Sequence, residues 1–346
     1  MKLKSLLWIV ICLFFGLFLS RPIFAQPQVV DPSKFKVELY ADFSALSGAP
    51  KAFQLTILDK TEGFPQGLYV TTGPLKGTHS DRIIHINAPG KSQVFATGFD
   101  SCESMLIAKG DYGKGLLVAS PRTQKILRLH NDGKVAANAL GKKNTSFGKA
   151  PFGVAVLTYG PDNYLYGTDF LGGNLLRIDK NGSAHVFRSI PLSVLGNQNV
   201  MRGAKYLRYE ESNVFSKGFI VSTFTVQDKD PNGQDAIYSI SSDGKDISLI
   251  RGGLSGVEML TIGPGGEFGF DLYIATIGSN QASDGVVYTL SKDGKLKPFL
   301  TGIDAVHVIF DTKGILGGGM FVSDFNNDPD NPVTLAGKVW RITNIK

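Results

Sequence analysis

Glu103, Glu258 and His307 stand out as side chains able to hold or move charge together, because each lies in an apolar stretch that otherwise carries packing residues. The stretches are FDSCESML, LSGVEML and IDAVHVIF. Three more of the same kind, FGKAPFGV, VMRGAKYL and SGAPKAFQL, place Phe152, approximately Arg202 and approximately Ala52 at the matching point. A carboxylate in such a position needs a partner, since burying an unpaired charge is costly. Two carboxylates and an imidazole converging on the central axis could hold one divalent metal ion. The same acids could instead pair with Arg202 or face ordered water in a wet channel. Glu with His suits a transition ion such as Zn²⁺, although no third nitrogen or sulfur ligand is evident. Cys102 precedes Glu103, but neighbouring strand residues face opposite ways, so its thiol is expected to pack between repeats.

Other candidates surround this set. His79 and Asp81 lie in TGPLKGTHSD, and Asp169 and Asp324 sit where GTDF and VSDF leave their strands. His307, His79, Asp169 or Asp324 could transfer protons, with Arg202 and Phe152 against the ligand. An Asp at a strand exit can equally tie down its own loop through backbone amides. Asp228, Asp230 and Asn232 in DKDPNG reproduce the start of a calcium loop, but its twelfth position is Ser239 where a Glu is expected. His85, His130 and His185 fall on a strand, a turn and an outer strand and receive no role. There is no Ser-His-Asp order, phosphate loop, dinucleotide fingerprint or CxxC pair, so no nucleotide or organic cofactor is indicated.

The elements that must position these residues form a repeat. Strands LYVTT, LLVAS, LYGTD, FIVST, LYIAT and MFVSD begin at Leu68, Leu116, Leu165, Phe219, Leu272 and Met320, so successive starts lie 48, 49, 54, 53 and 48 residues apart. A period near 50 residues made only of strands indicates a propeller or solenoid. After each comes a second apolar strand (RIIHI, KILRL, LLRID, AIYSI, VVYTL or KVWRI). Tight turns follow at Asn131-Asp132-Gly133, Asn181-Gly182, Ser242-Asp243-Gly244 and Lys292-Asp293-Gly294. An outer strand comes next, and Pro298 in one of them suits an edge. A more apolar stretch then starts the following unit.

The expected fold is therefore all-β, a six-bladed β-propeller of four-stranded antiparallel blades. The last repeat ends one strand short, after KVWRI, while KVELY at Lys36–Tyr40 has no partner before it. The N-terminal strand is expected to complete the last blade and close the ring, which removes an open seam.

The 346 residues, with 41 Gly and 42% hydrophobic content, suit one turn-rich domain spanning residues 26–346. In the first 25 residues, Lys2 and Lys4 precede an apolar run from Leu6 to Leu19, then Arg21-Pro22 and Ala25, the layout of a secretory signal. The run is short for a membrane span, which takes about 20 residues. The protein is thus expected to be exported, to a periplasm or beyond the cell. Cleavage removes Lys2, Lys4 and Arg21 and no acid, lowering the formal net charge from +6 to +3, which gives no reason to propose a nucleic-acid partner. Cys12 leaves with the signal, so Cys102 has no disulfide partner.

In LYVTT, LYGTD and MFVSD the chain resembles the six-bladed NHL-repeat and SMP-30/gluconolactonase-like propellers, over nearly all of residues 26–346. The resemblance implies ligands at the loop face over the central channel. It also implies a calcium held by a Glu with Asn and Asp companions, for which Glu103 or Glu258 could supply the Glu. Phe152 and Arg202 stand where the companions would be, and the Gly-Glu-Gly-Pro motif of the first blade is replaced by SGAPKAF. One reading is a metal-dependent hydrolase or lyase, lactonase-like, acting on a small organic molecule. Another is a non-catalytic propeller that captures a small ligand or a protein. A third is a tailoring protein in an exported secondary-metabolite pathway, such as that of scytonemin-type pigments. One propeller hosts unrelated functions, so the site must decide.

Overall fold

The computed structural model describes residues 26–73, 81–135, 153–170, 172–190, 201–226, 235–278, 284–326 and 336–345. The strands form six antiparallel sheets, each built outward from an apolar inner strand. Blade one comprises Ala52–Leu58, Gly67–Thr72, Asp81–Ala88 and Lys91–Phe99. Blade two has Ser104–Ile107, Leu116–Ser120 and Lys125–Leu129 among the described residues, with an isolated antiparallel bridge from Leu129 to Val135. Blade three runs through Val154–Tyr159, Leu165–Asp169, Asn174–Ile178 and Ala184–Ser189, and blade four through Met201–Tyr209, Gly218–Val226, Asp235–Ser241 and Ile247–Leu254. Blade five holds Val257–Ile262, Leu272–Thr276, Val286–Leu290 and Leu296–Thr301. Blade six holds Ala305–Phe310, Met320–Asp324 and Lys338–Asn344.

The recurring aromatic residue of the second strands explains why these sheets stack. Tyr69, Tyr166, Tyr273 and Phe321 are each at most 2% exposed and pack between neighbouring sheets. Burial of one such side chain contributes roughly 1.5–3 kcal/mol. The tyrosines keep a polar tip satisfied, with Tyr69 Oη donating to the Pro65 carbonyl and Tyr273 Oη to that of Phe268. The predicted turn glycines Gly133, Gly182, Gly244 and Gly294 all adopt positive φ, between 73° and 83°, the left-handed geometry these hairpins require. Cys102 packs with Phe99 and Met105 as expected, in the cluster between blades one and two.

Closure follows the sequence expectation and adds to it. Phe35–Asp42 lies antiparallel on Lys338–Asn344, from Phe35 opposite Asn344 to Asp42 opposite Lys338, and becomes the outer strand of blade six. Upstream, Gln28–Val29 pairs with Leu300 and Thr301 as a fifth strand on blade five. Pro298 lies beyond the end of that short pairing, so its missing N–H leaves no gap in the ladder. No described helix is long and apolar enough to cross a membrane. Residues 1–25 lie outside the described residues.

Candidate functional site

The site is made by a bulge repeated around the axis. In blade four Ala204 faces Thr223 and the next pair is Tyr206 with Ser222. In blade six Ala305 faces Asp324 and the next is His307 with Ser323. The inner strand therefore carries one unpaired residue, Lys205 or Val306. Blades one, three and five show the same irregularity after Ala52, Val154 and Val257, which puts Phe53, Ala155 and Glu258 at the equivalent place. In four blades a hydroxyl on the second strand satisfies the amide that follows the bulge. Gln54 N donates to Thr71, Val156 N to Thr168, Tyr206 N to Ser222 and His307 N to Ser323. This bond accounts for the Ser or Thr in LYVTT, LYGTD, FIVST and MFVSD. A bulge re-aims one side chain out of the ladder, and here it does so in five blades, while the inner pair of blade two, which follows Glu103, runs in unbroken register.

The side chains gathered this way form an ion-pair triad. Lys205 Nζ lies 3.2 Å from Glu258 Oε2 and 3.6 Å from Glu103 Oε2. Glu103 comes from the entry to blade two, where its amide donates to the Ala119 carbonyl. The Lys205 and Glu258 side chains are 8% and 3% exposed, and that of Glu103 is 15% exposed, so the group opens to solvent on the Glu103 side. The rings of Phe53, Phe170 and Phe224 surround the ammonium, with centroids 4.8, 5.2 and 5.4 Å away. Gly203 permits this close fit, because a Cβ there would run into the carbonyl oxygen of Phe170. Burial pushes the Glu258 carboxyl up to about 7, with Lys205 pulling the other way. Burial also works against the Lys205 charge, but the two carboxylates outweigh it and the ammonium is held above its ordinary range.

Lys205 is the residue that sequence reasoning missed. Aligning blade four on the start of its apolar stretch put Arg202 at the axis, but the strand begins at Met201 and its unpaired residue is Lys205, three positions after Arg202. The pair AKYLRY and VEMLTI holds the signal: aligned on their shared Leu, they place Lys205 opposite Glu258.

The same register separates His307 from the acids. Its bulge neighbour Val306 is the residue equivalent to Glu258, and His307 is one position further along. The His307 ring is buried, its Nδ1 accepts the Leu55 amide at 3.1 Å, and it lies 6.2 Å from the ring of Tyr206. Burial holds this imidazole at about 3, with nearby Arg208 adding to the effect, so it is neutral at physiological pH. Among the described residues no group of three or more His, Cys, Asp or Glu is placed to share one ion. The triad does not fit the divalent ion expected from Glu103, Glu258 and His307, because the cation between the two carboxylates is Lys205 itself.

Asp169 and Asp324 have structural partners. Asp169 accepts from the Gly172 amide at 3.0 Å and from Asn174 at 3.1 Å, and burial raises its carboxyl. Asp324 accepts from the Asn326 amide and from Trp340 Nε1, each at 2.9 Å; burial pushes it up to about 6, with the Trp340 bond opposing. Asp81 is buried at the start of the third strand of blade one, paired with Phe99. His79, Phe152 and the loop with Asp228, Asp230 and Asn232 lie outside the described residues, and of Arg202 only the backbone is described.

No model of a protein family matches the sequence, and neither does any curated protein. Solved structures do. A gluconolactonase from Xanthomonas campestris superposes with a TM-score of 0.58 at 11% identity, over 93% of this chain and 95% of its own. An auxiliary nutrient binding protein from Bacteroides thetaiotaomicron gives 0.56 at 10%, over 90% and 77%. Virginiamycin B lyase from Staphylococcus aureus gives 0.50 at 14%, over 90% and 100%. At such identities the likeness concerns architecture, and the chain is a six-bladed β-propeller of the kind found in gluconolactonase-like proteins.

Proposed function

We propose that the protein is an exported enzyme of the hydrolase or lyase class, acting on a small organic molecule at the axial site over Lys205. The observation that carries this reading is the buried Glu103–Lys205–Glu258 triad, open on the Glu103 side and flanked by Phe170 and Phe224. A carboxyl poised at about 7 can both take and return a proton at physiological pH, which is the condition for efficient general acid–base catalysis. Glu258 would move the proton. The Lys205 ammonium would stabilise negative charge developing on a substrate oxygen, an effect strengthened by exclusion of water, and the phenylalanine rings would hold an apolar part of the substrate. That gluconolactonase and lyase propellers share this architecture is consistent with such chemistry but does not choose the substrate.

The test is turnover of a lactone and ester panel by wild type and Glu258→Gln. Loss of turnover with retained ligand affinity supports proton transfer by Glu258; turnover by the variant at the wild-type rate sinks it. Metal analysis of both proteins addresses a resident ion, because an ion on these carboxylates would have to displace Lys205. The half-buried rings of Phe170 and Phe224 favour one second reading, capture of a ligand without chemistry. Saturable binding with no turnover across the panel would support it.

A further inference from the structure

The central channel has a second mouth, at the far ends of the inner strands, and its lining differs from that of the triad. A cavity of about 620 Å³ opens there between blades four, five and six. Its walls include Tyr209, Ile309, Phe310 and Phe270, the last of which is 63% exposed although large and apolar. Arg208 and His307 also line it. Because the Leu55 amide occupies Nδ1 of His307, the ring proton is on Nε2, and this N–H has no partner among the described residues. Two acids of the same wall have defined surroundings: Glu210 accepts from the amides of Val214, Phe215 and Ser216, and Glu211 is exposed. The charge acting on His307 is that of Arg208.

We propose that this mouth is a binding site for a small carboxylate with an apolar body. The carboxylate would pair with the Arg208 guanidinium and accept from His307 Nε2–H, while Phe270, Phe310 and Tyr209 cover the apolar part. An Arg fork matches a carboxylate in shape as well as charge, and a largely apolar concavity with few convergent donors is the usual form of a small-ligand site. The site is independent of the triad, which lies at the other end of the channel.

Isothermal titration of the purified protein with benzoate, benzamide and inorganic phosphate tests this. Benzoate is expected to bind saturably, one per chain, and benzamide not to compete. Arg208→Gln is expected to weaken benzoate by about tenfold or more, as loss of one charge-assisted hydrogen bond does, and Arg208→Lys by less. Glu258→Gln should leave the affinity unchanged. Melting curves confirm that each variant is folded. Absence of saturable benzoate binding, equal affinity in Arg208→Gln, a changed affinity in Glu258→Gln, or phosphate binding as tight as benzoate would each overturn the assignment.

Discussion

Replacing Lys205 by Met removes the cation from between Glu103 and Glu258 while roughly keeping its volume. Breaking a buried ion pair by deleting one partner costs about 3–5 kcal/mol. With each kcal/mol worth about 2–4 °C in a large domain, the melting temperature of Lys205→Met should fall on the order of 10 °C near pH 8. The loss must depend on pH in a definite direction. Burial has already lifted Glu258 from 4.5 to about 7 in the folded protein. A raised folded value means the native state keeps a proton that the unfolded chain has released. Its stability contribution is full below about 4.5 and is lost as pH rises toward 7. Without the ammonium, the Glu258 carboxyl rises further, since desolvation and repulsion from Glu103 are then unopposed. The falling limb extends above 7, at about 1.4 kcal/mol per pH unit. Melting of wild type and variant at pH 5 and pH 8, followed by circular dichroism, should show a small difference at pH 5 and a large one at pH 8. Equal differences at both pH values, or almost none at pH 8, would refute the triad as the charge balance of this channel.

Four further outcomes follow from the same geometry. Glu258→Gln should lower turnover by about a hundredfold or more, the usual share of a general acid–base group, with KM little changed; steady-state kinetics on the best substrate checks it. Deleting residues 26–45 removes the outer strand of blade six together with buried Phe35, Tyr40 and Phe43, so the melting temperature should drop by on the order of 10 °C, and an unchanged midpoint would contradict ring closure. Thr168→Ala and Ser222→Ala each orphan a buried amide beside a bulge and should cost about 1–3 kcal/mol in denaturant melts, whereas half-exposed Ser239 should tolerate Ala. The His307 imidazole, held at about 3, should show no titration in its NMR shift between pH 5 and 8; a midpoint near 6.5 would mean that the ring is solvated and charged.

The fold was legible because it repeats. A strand pattern recurring six times, with Asp-Gly or Asn-Gly turns at a fixed offset, leaves little freedom, and the unpaired KVELY at one end needed the broken repeat at the other. The site was legible only in part. Glu103 and Glu258 were visible as charges inside apolar stretches. Lys205 was hidden because a bulge shifts the register within a strand, and an alignment counted from the start of the stretch cannot sense an extra unpaired residue. His307 looked equivalent to the acids because it too is a polar side chain in an apolar stretch, although it stands one place removed. Its neighbour in blade six is Val306, an ordinary packing residue. The short strand Gln28–Val29 left no signal, since two residues are too few to show alternation.

The closure by Phe35–Asp42 has a consequence for how the chain reaches its native state. The strand that closes the ring finds its partner far along the chain: Glu38 and the Arg341 it contacts are separated by 303 positions. Until Lys338–Asn344 arrives, blade six lacks half of its strands and the ring stays open, so closure waits for that strand. The same order makes late truncation severe: a chain stopped before Lys338 loses its last strand and leaves the first long one with nothing to pair with.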